Sequence, residues 1–200
     1  MDSNALGIDK TKVALTGNSA GGGIAMWLGL HDDLRSVEAQ NPIHQESTRV
    51  LCLGLFETQT TINPLEIKEI FPDSNVYAEG ALSIFFGVTP NEIASDPEGV
   101  REVHGSSFRE ASALTHLSAD DAHIKILFSY ARNFGENNIH SPEFGIYAIN
   151  GTPSVEGFEN LTLESLGMDY RLYTPANSNL TPGEVRNNEM TDMFANECFQ

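Results

Sequence analysis

The chain has 200 residues, of which 28 are Asp or Glu and 11 are Lys or Arg, giving a formal net charge of −17 at pH 7. That length suits one domain with a substantial core, and 40% apolar with 20% charged residues is ordinary globular composition. The acidic excess argues against nucleic acids, anionic membranes and strongly anionic substrates as partners, and no basic cluster offsets it.

Leu6-Gly7-Ile8-Asp9-Lys10 reads as a helix tail, a glycine stop and a turn into a strand, as though the chain begins inside a larger fold. A β-branched apolar strand over Lys12–Thr16 follows, then the glycine-rich Gly17-Asn18-Ser19-Ala20-Gly21, then a helix to about Leu30. Polar residues with Pro42 form a loop. Thr48 to Phe56 is a near-continuous apolar run, which suits a strand buried on both faces of a parallel sheet. Residues 57–117 are long for a simple crossover and hold helical pieces at Pro64–Phe71, Ala78–Gly87 and Ser106–Ala113, with a helix start at Thr89-Pro90-Asn91-Glu92. We read them as a helical cap insertion. Lys125–Tyr130 is the next strand, Pro142–Leu166 is helical in part with a break at Gly151-Thr152-Pro153, and Tyr170–Thr174 alternates like an edge strand. A final helix runs roughly from Gly183 to Phe199. This alternation points to an α/β fold with a doubly wound, mainly parallel sheet in a single domain spanning 1–200.

The two cysteines, Cys52 and Cys198, make no disulfide framework, and Cys52 reads as a small buried hydrophobe. No run reaches membrane-spanning length. The opening Met-Asp-Ser-Asn lacks the basic and apolar regions of a signal peptide, so a cytoplasmic location is expected if that start is genuine.

Most of the chemistry lies in Gly17-Asn18-Ser19-Ala20-Gly21. A G-x-S-x-G between a strand and a helix is a nucleophile elbow, a strained turn that lifts the serine hydroxyl above the sheet. Ser19 is then the candidate nucleophile, and the Ala20 N–H points to where an oxyanion would form, beside the positive end of the helix. Gly17 and Gly21 are expected to be small because side chains there would collide with strand and helix. The alternative is a tight turn in which Ser19 merely caps the helix. A phosphate loop is disfavoured, since no Lys ends the glycine run.

Three stretches carry a family resemblance: Leu6 to Gly22, Trp27-Leu28-Gly29-Leu30-His31-Asp32-Asp33-Leu34, and Ser112 to Asp121, with Ile139-His140-Ser141-Pro142-Glu143-Phe144-Gly145 beside them. On these the chain resembles the C-terminal part of an α/β-hydrolase of the esterase/lipase group, near the hormone-sensitive-lipase-like and feruloyl-esterase-like branches. The resemblance implies carboxylic-ester hydrolysis by a Ser–acid–His triad, a small-molecule ester as substrate, and neither metal nor cofactor. Carried over, Ser19 falls on the nucleophile and Ala20 on the oxyanion donor. The acid, expected just past Lys125–Tyr130, falls on Glu136.

Two departures stand beside these matches. The family's His-Gly-Gly loop, source of the second oxyanion donor, has no counterpart before the elbow, so the sheet reads as truncated. No histidine follows His140, although the family's histidine should come after the last strand. A serine without an adjacent base is a weak nucleophile. His140 is the best-placed substitute, with His116 and His123 behind it. Three readings follow: a divergent esterase, a catalytically inactive hydrolase-like binding protein, or a gene fragment. Missing strands would expose a sheet edge through which the chain could form a homo-oligomer.

Overall fold

Residues 6–72, 84–136, 138–151 and 161–200 are described by a computed structural model of the chain. Four short apolar runs form its sheet: β1 (Ala14–Asn18), β2 (Cys52–Phe56), β3 (Lys125–Ser129) and β4 (Tyr170–Tyr173). All pairings are parallel and the order is β1-β2-β3-β4. The first strand lies two residues later than its composition predicts, so it ends directly against Ser19.

Period-two alternation sorts β2 and β3 onto two faces. Leu53, Leu55, Ile126 and Phe128 enter the larger core, together with Met26, Leu30, Phe144 and Ala148. Cys52, Phe56 and Leu127 point the other way, onto Val185, Met193 and Cys198. Helical segments therefore cover both faces, which is why β2 is buried along its whole length.

The crossover after β1 is α1 (Ala20–Leu30). Between β2 and β3 lie α2 (Pro64–Ile70), α3 (Pro90–Ser95) and α4 (Pro97–Ala111), followed by two 3₁₀ turns, Ala113–His116 and Ala119–His123. Each of these three helices begins with a capping side chain and then a proline. Asn63 accepts from the Leu65 N–H, Thr89 forms a capping box with Glu92, and Asp96 accepts from the Gly99 N–H. Proline at the first helical position gives up only an N–H that has no helical partner. The third helical piece is longer than its pattern predicts, starting at Pro97 rather than near Ser106. Most of the expected Ala78–Gly87 helix lies outside the described residues. Leu65, Val88, Ile93, Val100 and Phe108 make a small core of their own for this region.

After β3 comes α5 (Glu143–Asn150), closed by Gly151 at φ 75°. The break expected at Gly151-Thr152-Pro153 falls largely outside the described residues. The C-terminal helical segment, α6, joins Pro182–Glu184, a π-helical Val185–Met190, Thr191–Met193 and a π-helical Phe194–Cys198. Its Glu197 pairs with Lys125 and Arg171, tying it to β3 and β4.

One expectation is corrected here. Cys52 and Cys198 form a disulfide, with Cα atoms 6.3 Å apart. Cys52 faces α6 because it lies on the same side of β2 as Phe56, a placement that a sequence separation of 146 conceals. Among the described residues no helix is long and apolar enough to cross a membrane.

Candidate active site

The parallel register sets the site. Asn18 is level with Phe56, and Phe56 with Ser129. The residues one step past these tips, Ser19, Glu57 and Tyr130, therefore meet at the carboxyl edge of the sheet, where adjacent strands lie only about 4.8 Å apart. Open α/β sheets bind ligands at that edge.

Ser19 has φ 52° and ψ −124°, outside the regions that L-residues ordinarily occupy. Its N–H donates to the Phe56 carbonyl at 2.8 Å, and its own carbonyl accepts from the Gly23 N–H at 3.1 Å. Strand and helix thus hold the turn from both sides. The Ser19 hydroxyl makes no capping bond to α1, so the simple helix-cap alternative does not describe it. Ala20 is the first residue of α1, where an N–H has no intrahelical acceptor.

Steric demand falls on Gly17 and Gly22. A Cβ on Gly17 would lie 2.1 Å from the Gly21 carbonyl oxygen, and one on Gly22 would lie 1.9 Å from Thr58 Oγ1. The expectation for Gly21 is corrected: a Cβ there meets nothing within 4 Å. The glycine run exists to bring α1 down onto β1 and onto the turn after β2.

Ser19 Oγ is 3.5 Å from His140 Nε2. His140 Nδ1 is 3.8 Å from Glu57 Oε2, and Glu57 Oε1 accepts from the Ala131 N–H at 2.6 Å. The first two separations are longer than a well-formed hydrogen bond. The Glu57 side chain is only 14% exposed. Burial pushes its carboxyl above the ordinary glutamate range, opposed by the Ala131 N–H, His140 and Arg132.

Glu136, the acid expected from the sequence, is placed differently. It accepts from the Asn133 N–H at 3.0 Å and pairs with Arg132 at 3.2 Å, and both contacts hold it below the ordinary glutamate range. It is exposed, and its bonds all stay within its own loop. The carboxylate facing His140 is Glu57. The clue was its position as the first residue after a fully apolar strand, where a carboxylate is carried to the ligand-binding edge.

The other histidines proposed as substitutes lie elsewhere. His116 and His123 sit on the 3₁₀ turns before β3, at the amino end of the sheet. His116 contacts the Glu110 carbonyl at 2.8 Å and packs edge-on to Trp27, and His123 contacts the Asp120 carbonyl at 2.8 Å. Among the described residues no group of three or more His, Cys, Asp or Glu is arranged to hold a metal ion.

No family profile and no curated protein sequence matches the chain. Solved structures do. The chain aligns over 96% of its length with 56% of an acetyl ester-xyloside bifunctional hydrolase from Caldicellulosiruptor lactoaceticus, at 16% identity and a TM-score of 0.56. It aligns equally fully with 53% of a fungal esterase from Rhizomucor miehei, at 14% identity and a TM-score of 0.52. The fold is one that esterases use. At this identity the likeness is one of fold, and the chain spans about half the length of these two structures.

Proposed function

We propose that the chain is a carboxylic-ester hydrolase in which Ser19 is the nucleophile, His140 the general base and Glu57 the acid that orients it. The strained Ser19 turn carries this reading, because it aims a hydroxyl at an imidazole that in turn faces a partly buried carboxylate. In the reaction His140 Nε2 takes the Ser19 proton as Oγ attacks the ester carbonyl. The Ala20 N–H and the amino end of α1 stabilise the oxyanion, and His140 returns the proton to the departing alcohol. Water, activated by the same imidazole, then releases the acid. Glu57 stabilises the imidazolium through Nδ1 and fixes its tautomer.

The same reading takes the sheet as part of a larger, doubly wound one. Leu51 donates to Val13, and Ser19 to Phe56, so alternate residues of β1 face β2. The backbone groups of Ala14, Thr16 and Asn18 then face the open side of β1, where a further strand or a second copy of this chain would seat. The region of α2 to α4, with its own small core, serves as the cap.

Incubation with a fluorophosphonate probe and a p-nitrophenyl acetate and butyrate series tests the proposal. Labelling at Ser19 and turnover that both vanish in Ser19→Ala are expected. A folded chain with neither points to an inactive, hydrolase-like binding protein.

A further inference from the structure

Gln59 joins the two halves of this site, and the proposed reaction assigns it no role. Its side-chain Nε2 lies 3.2 Å from the Glu57 carbonyl and 2.6 Å from the Ile139 carbonyl. Both partners only accept, so a single NH₂ group supplies both bonds with its two protons. One bond reaches the residue that carries the acid, and the other reaches the residue next to His140.

The loop around His140 has an internal frame, and its Ile139 packs against the larger core. Asn138 Oδ1 accepts from the His140 N–H at 3.0 Å, Ser141 Oγ from the Asn138 N–H at 3.0 Å, and the Asn138 carbonyl from the Ser141 N–H at 2.9 Å. These bonds fix the shape of the loop, not its distance from β2. Gln59 bonds across that gap, from the turn after β2 to the Ile139 carbonyl. Its backbone runs close to α1, where a Cβ on Gly23 would lie 3.4 Å from the Gln59 carbonyl oxygen. Thr60 repeats the arrangement one residue on, its hydroxyl donating to the Phe144 carbonyl at 2.7 Å.

We infer that Gln59 is a positioning residue, holding the His140 loop against the Glu57 turn so that His140 lies between Ser19 and the carboxylate. The inference rests on the triad reading above. A displacement of about 1 Å in a catalytic group can cost about 100-fold in rate, so a clamp at this point has leverage.

The test uses two substitutions. Gln59→Met keeps the length and removes both donors. Gln59→Glu keeps the shape and turns an acceptor toward two carbonyls. In folded variants kcat should fall by about 10- to 100-fold while KM stays within about threefold. Carbethoxylation of His140 by diethyl pyrocarbonate, mapped by mass spectrometry, should accelerate. His31, His44, His104, His116 and His123 serve as internal controls, since a general loosening would move them too. Wild-type kcat, or a wild-type His140 modification rate, in both variants overturns the inference. If the parent chain shows no Ser19-dependent turnover, the triad reading fails by itself. The modification rate of His140 then decides the clamp alone, an unchanged rate overturning it.

Discussion

Ser19 and Glu57 stand side by side at the tips of β1 and β2, and among the described residues they are the non-glycine positions with positive φ, at 52° and 53°. Each chain turns sharply as it leaves the sheet, and the Ser19 N–H closes the gap between them on the Phe56 carbonyl. Backbone strain of this kind costs about 1–3 kcal/mol at each residue and persists only where the surroundings enforce it. Here the surroundings are two neighbouring strands in fixed register. The strain puts a hydroxyl and a carboxylate on either side of one imidazole.

The first prediction separates the two candidate acids. Glu57→Gln should lower kcat/KM by about 10²–10⁴, because a neutral amide neither stabilises the imidazolium nor enforces its tautomer. Glu136→Gln should leave it within about threefold, since that carboxylate only braces its own loop and exposed ion pairs contribute little. Steady-state hydrolysis of p-nitrophenyl acetate by both variants decides between them.

The second concerns pH. Glu57 holds its proton more tightly in the folded protein than in the unfolded chain, because burial disfavours its charge. Its contribution to stability is therefore present below the ordinary glutamate pKa and lost as pH rises through the raised folded value. Glu57→Gln should melt higher than the parent at pH 8, with the gap closing near pH 4 as Glu57 becomes neutral. Paired thermal melts check this, and a gap that is equal at both pH values counts against it.

The third tests the elbow glycines. Gly17→Ala and Gly22→Ala each force a methyl into space already occupied, at about 1–3 kcal/mol or more. Gly21→Ala meets nothing within 4 Å and lies in the first turn of α1, so it should be neutral or stabilise by up to about 1 kcal/mol. Urea unfolding midpoints of the three variants give the order.

The fourth concerns the disulfide. Cys52–Cys198 ties the inner strand β2 to the last turn of α6 at a sequence separation of 146. Reduction, or Cys198→Ser, should lower unfolding stability by about 2–5 kcal/mol. Urea curves with and without reductant measure it. The Cys198→Ser chain should show no further response to reductant.

Local chemistry made much of this protein legible in its sequence. The G-x-S-x-G between an apolar strand and a helix marked Ser19, the continuous apolar runs marked a buried parallel sheet, and Thr89-Pro90-Asn91-Glu92 marked a helix start. Each is a property of neighbouring residues, so spacing and side-chain type suffice to read it. His140 could be named as the nearest histidine past β3, but its distance from Ser19 could not. That Glu57 rather than Glu136 faces His140, that Cys52 pairs with Cys198, and that Gly21 has free space belong to the tertiary structure alone. Strand register decides which residues share the sheet's edge, and register is set by packing between segments tens of residues apart.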